Sequence, residues 1–183
     1  MKQVVRKLFF DYEKEEAWLN DMSARGLALT DLSWGRYVFE DAEPGEYLYR
    51  IELLEGPVKD PAVRKYIEFV EGTGIEAVAT YMRWAYFRKK AADGPFDMFS
   101  DIGSRLKHYR RISRMWFAFT IIELVAGFLN VGIGVASWVV RGEPSGNLVI
   151  GIAPIALGIL FLQLGARVQR KINGLVREQR IRE

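Results

Sequence analysis

Residues 115–140 read MWFAFTIIELVAGFLNVGIGVASWVV, and residues 148–166 read LVIGIAPIALGILFLQLGA. The first stretch is 26 residues long and is interrupted only by Glu123, Asn130 and a few hydroxyls; the second is 19 residues long and carries no charge. A spanning helix needs about 20 apolar residues to cross roughly 30 Å of hydrocarbon. Both stretches meet that length, the first with room for tilt. The alternative is a pair of buried helices in a soluble protein, but runs this long and this free of charge are hard to cover in a chain of 183 residues. The seven residues between them, RGEPSGN (141–147), are turn-rich, so the expected arrangement is an antiparallel two-helix transmembrane hairpin.

The flanks set its orientation. Arg105, Lys107, Arg110, Arg111 and Arg114 precede the first stretch, and Arg167, Arg170, Lys171, Arg177, Arg180 and Arg182 follow the second. The only basic residue in the link is Arg141. Basic residues are retained on the cytoplasmic side, so the bias predicts a multi-pass protein of the cell membrane with both chain ends cytoplasmic. The same side chains form a flank for anionic lipid. Trp116 and Trp138 stand near opposite ends of the first stretch, at the depth indoles favour.

Lipid supplies no hydrophobic push between helices, so close contact relies on small residues. Gly127 and Gly134 in the first stretch, and Gly151, Gly158 and Gly165 in the second, recur every seven residues and line one face of each helix. They are expected to form the mutual contact of the hairpin or a dimer contact. Glu123 and Asn130 share that face by spacing. Glu123 lies about eight residues into the span, roughly 12 Å deep. A carboxylate there is costly and must face protein or pair. It is either a proton- or cation-linked group, a polar contact to a partner helix, or an anchor of register with Asn130 or Gln163 as company. Gln163 is off the glycine face by helical angle.

The rest of the chain is different in kind. Residues 1–101 carry 14 basic and 19 acidic side chains, a net of −5, while residues 102–183 carry 12 and 4, a net of +8. An acidic domain is a poor partner for a phosphate backbone, so no nucleic acid is expected. The chain has no cysteine, which removes disulfides, thiolate metal sites and a thiol nucleophile. The N-terminus lacks the apolar run and cleavage site of a signal peptide. No dinucleotide, P-loop, HExxH or Gly-x-Ser-x-Gly motif is present, so no enzyme and no cofactor is expected. Glu13, Glu15 and Glu16 with Lys14 are read as a solvated charge cluster at a helix start. His108 is alone and is assigned nothing. No internal repeat is visible.

Residues 1–92 alternate between periods. A strand is predicted over 3–10, then a helix over 12–25, capped by Asp11, stopped by Gly26 and burying Trp18, Leu19 and Met22. Strands follow over 27–40, broken near Ser33–Gly35, and over 47–54 after the turn EPGE. A second helix over 61–71 starts at Asp60-Pro61, and strand-like segments cover 75–82 and 84–89. The order is β-α-β-β-α-β with an extra strand, which predicts an α+β, ferredoxin-like cytoplasmic domain with one antiparallel sheet. Aromatic residues crowd its strands, and Tyr37, Tyr49, Trp84 and Tyr86 are candidates for a binding surface on the face the helices leave open; packing is the other reading. DGPF (93–96) is a boundary. Residues 97–113 read as a basic juxtamembrane helix, within a 93–114 linker, that could lie on headgroups. The tail 167–183 is basic and charged, a frayed or surface helix from Gly174.

Phe10-Asp11, Glu15-Glu16, Trp18-Leu19, Met22, Gly26, Tyr37-x-Phe39, Tyr49-Arg50 and Trp84-x-Tyr86, followed by the paired apolar stretches, give the chain a resemblance. It resembles the bacterial membrane proteins grouped as domain of unknown function 2812. Members of that group are often encoded beside PadR-type repressors, so the resemblance implies a regulatory or accessory role linked to drug or envelope-stress response. It carries over no functional residue. Two functions are expected to compete. One is a membrane-anchored regulatory module whose cytoplasmic domain binds a partner protein or self-associates. The other is a small accessory subunit of a transport or efflux system that uses Glu123 and Asn130.

Overall fold

The computed structural model describes residues 2–99 and 101–182. The chain divides into two compact units, Met1–Ser100 and Asp101–Glu183.

In the first unit Asp11 is the N-cap of α1 (Tyr12–Ala24), its carboxylate accepting the Glu13 N–H at 3.2 Å. Gly26 follows the helix at φ +82, where a side chain would be strained and a Cβ would stand 3.0 Å from the Ala42 carbonyl. The other elements are β1 (Gln3–Arg6), β2 (Leu27–Ser33), β3 (Arg36–Asp41), β4 (Tyr47–Leu53), α2 (Pro61–Glu71), β5 (Glu76–Tyr81) and β6 (Trp84–Lys90). The first strand is shorter than expected, ending at Arg6.

The unit is mixed α+β, but its strands do not form the single ferredoxin-like sheet. They form two three-stranded antiparallel sheets, ordered β1-β3-β2 and β4-β6-β5. The reason is local. One edge of β4 pairs with β6 over its full length, and α1 side chains bond the peptide groups of Tyr47, Tyr49 and Ile51. With both edges engaged, β4 starts a second β-α-β-β run instead of extending the first.

The two runs correspond closely. Asp60 caps α2 as Asp11 caps α1, bonding the Ala62 N–H at 2.9 Å. Gly74 takes positive φ as Gly26 does. A register shift interrupts β2 between Leu29 and Asp31, and β5 between Ala77 and Ala79. Leu29 then pairs with Phe39, and Ala77 with Phe87; both phenylalanines are fully buried. The hairpin β2–β3 turns at Trp34-Gly35 and the hairpin β5–β6 at Met82-Arg83. The repeat invisible in the residues is thus present in the backbone.

Two cores result. Leu19, Met22, Leu29, Leu32, Phe39 and Ile51 pack with Tyr37, Tyr49 and Tyr86. Val63 and Val70 of α2 pack with Leu54, Ala85, Phe87 and Phe96. Successive residues of β6 therefore serve opposite cores, and the second sheet is covered on both faces.

The second unit holds α3 (Ile102–Arg141), α4 (Asn147–Ile150) and α5 (Ile152–Arg182). Asp101 caps α3 through the Ser104 N–H at 2.7 Å, and Gly142 ends it in the left-handed region. At 40 residues α3 is about 60 Å long. The basic segment is accordingly no separate helix from residue 97: it starts at Ile102 and runs unbroken into the apolar stretch. The tail beyond Gly174 likewise continues α5.

Leu106, Ser113, Thr120, Gly127 and Gly134 of α3 are buried at intervals of seven, and so are Gly151, Gly158, Gly165 and Ile172. A heptad repeat keeps one face against the partner helix. The contact is backbone-close: a Cβ on Gly127 would stand 2.5 Å from Ile155 and 3.0 Å from the Gly151 carbonyl, and one on Gly134 2.7 Å from Leu148. One on Gly158 would meet Leu124 at 2.8 Å. Both stretches are long and apolar enough to cross a membrane, and only 17% and 22% of their most apolar windows is buried within the chain.

Gly127→Leu is expected to lower the thermal midpoint of the detergent-solubilised protein, overpacking costing about 1–3 kcal/mol. Gly132→Leu is the control, because a Cβ there meets nothing within 4 Å. Equal midpoints for the two variants would contradict the seam.

Candidate functional site

Helix α1 turns a polar face inward. Positions 12, 15, 16, 19, 20 and 23 share one stripe by helical spacing, and of these only Leu19 is aliphatic. Three of its side chains engage the edge of β4. Ser23 Oγ donates to the Tyr47 carbonyl at 2.7 Å, and Asn20 Oδ1 accepts the Tyr49 N–H at 2.9 Å while its Nδ2 donates to the Tyr49 carbonyl at 3.2 Å. Glu16 Oε2 accepts the Ile51 N–H at 2.9 Å. Alternate residues of a strand point their peptide groups the same way, so residues one helical turn apart can cover an edge that would otherwise pair with another chain. Arg50 stands 3.3 Å from Glu16, giving that carboxylate a cation.

Glu15 is buried, 7% exposed. Its Oε1 accepts the Tyr37 hydroxyl at 2.6 Å and the Tyr86 hydroxyl at 2.8 Å. Tyr37 belongs to β3 and Tyr86 to β6, so one carboxylate joins both sheets. Burial pushes the carboxyl above the ordinary glutamate range, with the two hydroxyls pulling the other way. Burial and the neighbouring carboxylate push both phenols up. The solvated-cluster expectation is therefore corrected: Lys14 is exposed, but Glu15 and Glu16 lie on the face that β4 and β6 cover.

Aromatic rings surround this acid. Trp18 meets Tyr37 edge-on at 4.8 Å, Phe9 lies 5.3 Å from Trp18, and Tyr12 stacks on Trp84 at 5.5 Å. The Lys7 ammonium stands 4.7 Å from the Phe9 ring and 4.9 Å from the Trp18 ring. Arg88 ties the sheets together elsewhere, holding Glu76 through Nε at 2.7 Å and Nη2 at 2.9 Å, and donating to the Leu29 carbonyl at 3.1 Å.

The expected surface of binding aromatics is not formed. Tyr37, Tyr49 and Tyr86 are buried: Tyr37 lies against Trp18 and Glu15 of α1, and Tyr49 and Tyr86 belong to a sheet covered on both faces; Tyr49 accepts the Leu29 N–H at 2.8 Å. Trp84 is half-buried against Tyr12. The residues presented to solvent are instead the hairpin tips Trp34 and Met82, 75% and 72% exposed, each at positive φ.

In the second unit Gly127, Gly134, Gly151 and Gly158 meet at the seam, while Glu123 and Asn130 stay half-buried at its margin. Asn130 donates to the Ala126 carbonyl at 2.8 Å. Among the described residues nothing donates to Glu123, and Gln163 is exposed. Lys107, Arg110, Arg114, Arg167, Arg170 and Lys171 are exposed, with Arg105 and Arg111 half-buried; His108 is buried in the helix pair.

A duplicated β-α-β-β unit with a buried glutamate, followed by two long apolar helices, defines the class of protein. A family model described as "Protein of unknown function (DUF2812)" matches residues 11–121, and the chain belongs to that family. No curated protein and no solved structure matches it. The matched span starts at the α1 cap and contains Glu15 with Tyr37 and Tyr86; Phe9 and Lys7 precede it, and Glu123, Asn130 and α5 lie beyond it. Glu15, Glu16, Trp18, Leu19, Tyr37, Tyr49, Trp84 and Tyr86, all part of the resemblance drawn from the sequence, are the residues that meet at α1.

A carboxyl with a raised folded pKa favours folding on the acid side. That contribution is lost as pH rises from the unfolded value, 4.5, through the folded one. Glu15→Gln should therefore show a smaller fall in denaturant midpoint between about pH 4 and about pH 7.5 than the unsubstituted chain, Glu16 supplying the remainder. Tryptophan fluorescence reads the midpoint; identical pH dependence would contradict the assignment.

Proposed function

We propose that the chain is a membrane-anchored regulatory protein: α3 and α5 cross the cell membrane as an antiparallel hairpin with both chain ends cytoplasmic, and the α+β unit binds a partner protein. The observation that carries the anchor is the inverted packing of the hairpin. Through the apolar stretches the buried residues are Gly127, Gly134, Gly151, Gly158 and Gly165 with Thr120 and Leu164, while Ile121, Ile122, Val125, Phe128, Val139 and Val140 face outward, each more than half exposed. Water selects the opposite arrangement, and lipid tolerates this one because tails are as apolar as the side chains they touch. The eleven basic flanking residues against Arg141 in the link support cytoplasmic ends.

For the partner, the supporting feature is the exposed pair of hairpin tips. Trp34 lies edge-on to Tyr81 at 6.5 Å, and Met82 follows Tyr81 directly. Large apolar residues held outward in the sparsely populated left-handed region carry a strain cost that contact with a partner would justify. A second reading, an accessory subunit of a transport or efflux system, has one feature in its favour, the Glu123 carboxylate without a donor among the described residues.

Because the chain has no cysteine, single replacements report position cleanly. In intact cells a membrane-impermeant maleimide should label Glu143→Cys, an exposed position of the link, directly but Thr73→Cys only after permeabilisation. The reverse order, or labelling of both from outside, overturns the topology. A photo-crosslinker at Trp34 should give a discrete adduct in membranes that the same group at Lys59 does not; equal adducts remove the hairpin tips as a contact. Glu123→Gln should leave insertion unchanged under the anchor reading, and loss of a transport phenotype in that variant favours the second.

A further inference from the structure

We propose that the chain self-associates in the membrane, α3 of one copy meeting α3 of a second through a polar line formed by Glu123, Asn130 and Ser137. The proposal rests on the reading that α3 crosses lipid and is independent of what the α+β unit binds.

Four polar side chains interrupt the apolar stretch 115–140: Thr120, Glu123, Asn130 and Ser137. Thr120 is buried in the seam and donates to the Trp116 carbonyl at 2.9 Å. The other three recur every seven residues, so they share a line along α3. Each follows a seam residue, Thr120, Gly127 or Gly134, by three positions, which places the line about 60° round the helix from the seam. The other flank belongs to α5. Leu124 and Val131, four positions after Thr120 and Gly127, are the residues that a Cβ on Gly158 or Gly151 would meet, at 2.8 and 2.7 Å. The polar line is therefore turned away from α5, and Glu123, Asn130 and Ser137 are all half-buried. Asn130 donates to the Ala126 carbonyl at 2.8 Å, and among the described residues nothing hydrogen-bonds to the Glu123 carboxyl or the Ser137 hydroxyl.

Polar side chains left against lipid tails are costly, and helices cover them by associating. A second copy is the occupant this line fits. Copies inserted with the same topology pair about a two-fold axis along the membrane normal, so each position of α3 meets its own counterpart at the same depth. The Asn130 amide and the Ser137 hydroxyl each carry both a donor and an acceptor, and a protonated carboxyl does the same. The line is thus complementary to itself, residue for residue, with no need of a partner of opposite charge. Its spacing agrees, because a seven-residue repeat keeps one face of a helix against a parallel copy through several turns. A water-filled path would require polar lining from α5 as well, and the apolar stretch 148–166 offers only Gln163.

The test is oxidative cross-linking of the full chain in native membranes, which the absence of cysteine makes specific. Ser137→Cys should give a disulfide-linked dimer, whereas Ala136→Cys and Gly132→Cys, exposed positions on other faces of α3, should not. Adding Glu123→Leu and Asn130→Leu to the Ser137→Cys chain should lower the dimer yield at least about threefold, the scale of interhelical hydrogen bonds. Glu123→Gln and Asn130→Gln in the same background should preserve it, because amides keep donors and acceptors on the line. Equal yields at positions 132, 136 and 137, or a yield that the two leucines leave undiminished, overturn the proposal. Washing with alkaline carbonate separates its failure from that of the anchor: a chain that stays in the membrane pellet without cross-linking overturns the self-association alone, and one that is released overturns both.

Discussion

The α+β unit depends on one carboxylate placed between two small sheets. Three strands and one helix bury too little surface to be secure alone. Each β-α-β-β run is of that size, and the runs cohere because α1 belongs to both. Its Leu19 and Met22 enter the core of the first run, its Glu16, Asn20 and Ser23 close the edge of β4 in the second, and its Glu15 reaches a tyrosine in each. Polar groups have this role because an edge strand offers peptide N–H and C=O groups, which an aliphatic face would leave unsatisfied.

The helical unit packs by a different rule. Its seam runs from leucine and isoleucine at the basic end to bare glycine at the other, with serine and threonine between. Beyond the apolar stretch, Leu106 and Ile172 supply the buried side chains an aqueous coiled coil requires. Within it, glycine lets the backbones approach, as helices in lipid need. One heptad register runs through both segments, and α3 passes through the basic segment without a break.

Much of this was legible in the residues. The helices began and ended where Asp11, Gly26 and Asp60-Pro61 said they would, because capping is a local interaction. The seven-residue glycine spacing was visible, but its continuation through Thr120, Ser113, Leu106 and Ile172 was hidden by changing side-chain size. The sheet arrangement was not legible, because β4 could pair with either neighbour until α1 occupied its edge. The Glu15 cluster was misread for a related reason: consecutive acids at a helix start favour the dipole and look solvated. The available signal was the spacing of Glu16, Asn20 and Ser23, a helical stripe of polar residues on the side of Leu19. Of the two readings of the aromatic strand residues, packing is the one their burial agrees with, since both faces of the second sheet are covered.

Native-state hydrogen exchange on the full chain separates one coupled unit from two adjacent ones. The account requires the slowest amides of β3, such as that of Phe39, and the Tyr49 and Ile51 amides of β4 to exchange through a single opening of common free energy. Two distinct opening free energies, with the β4–β6 sheet protected while β1–β3 exchanges freely, would contradict it and leave Glu15 joining nothing.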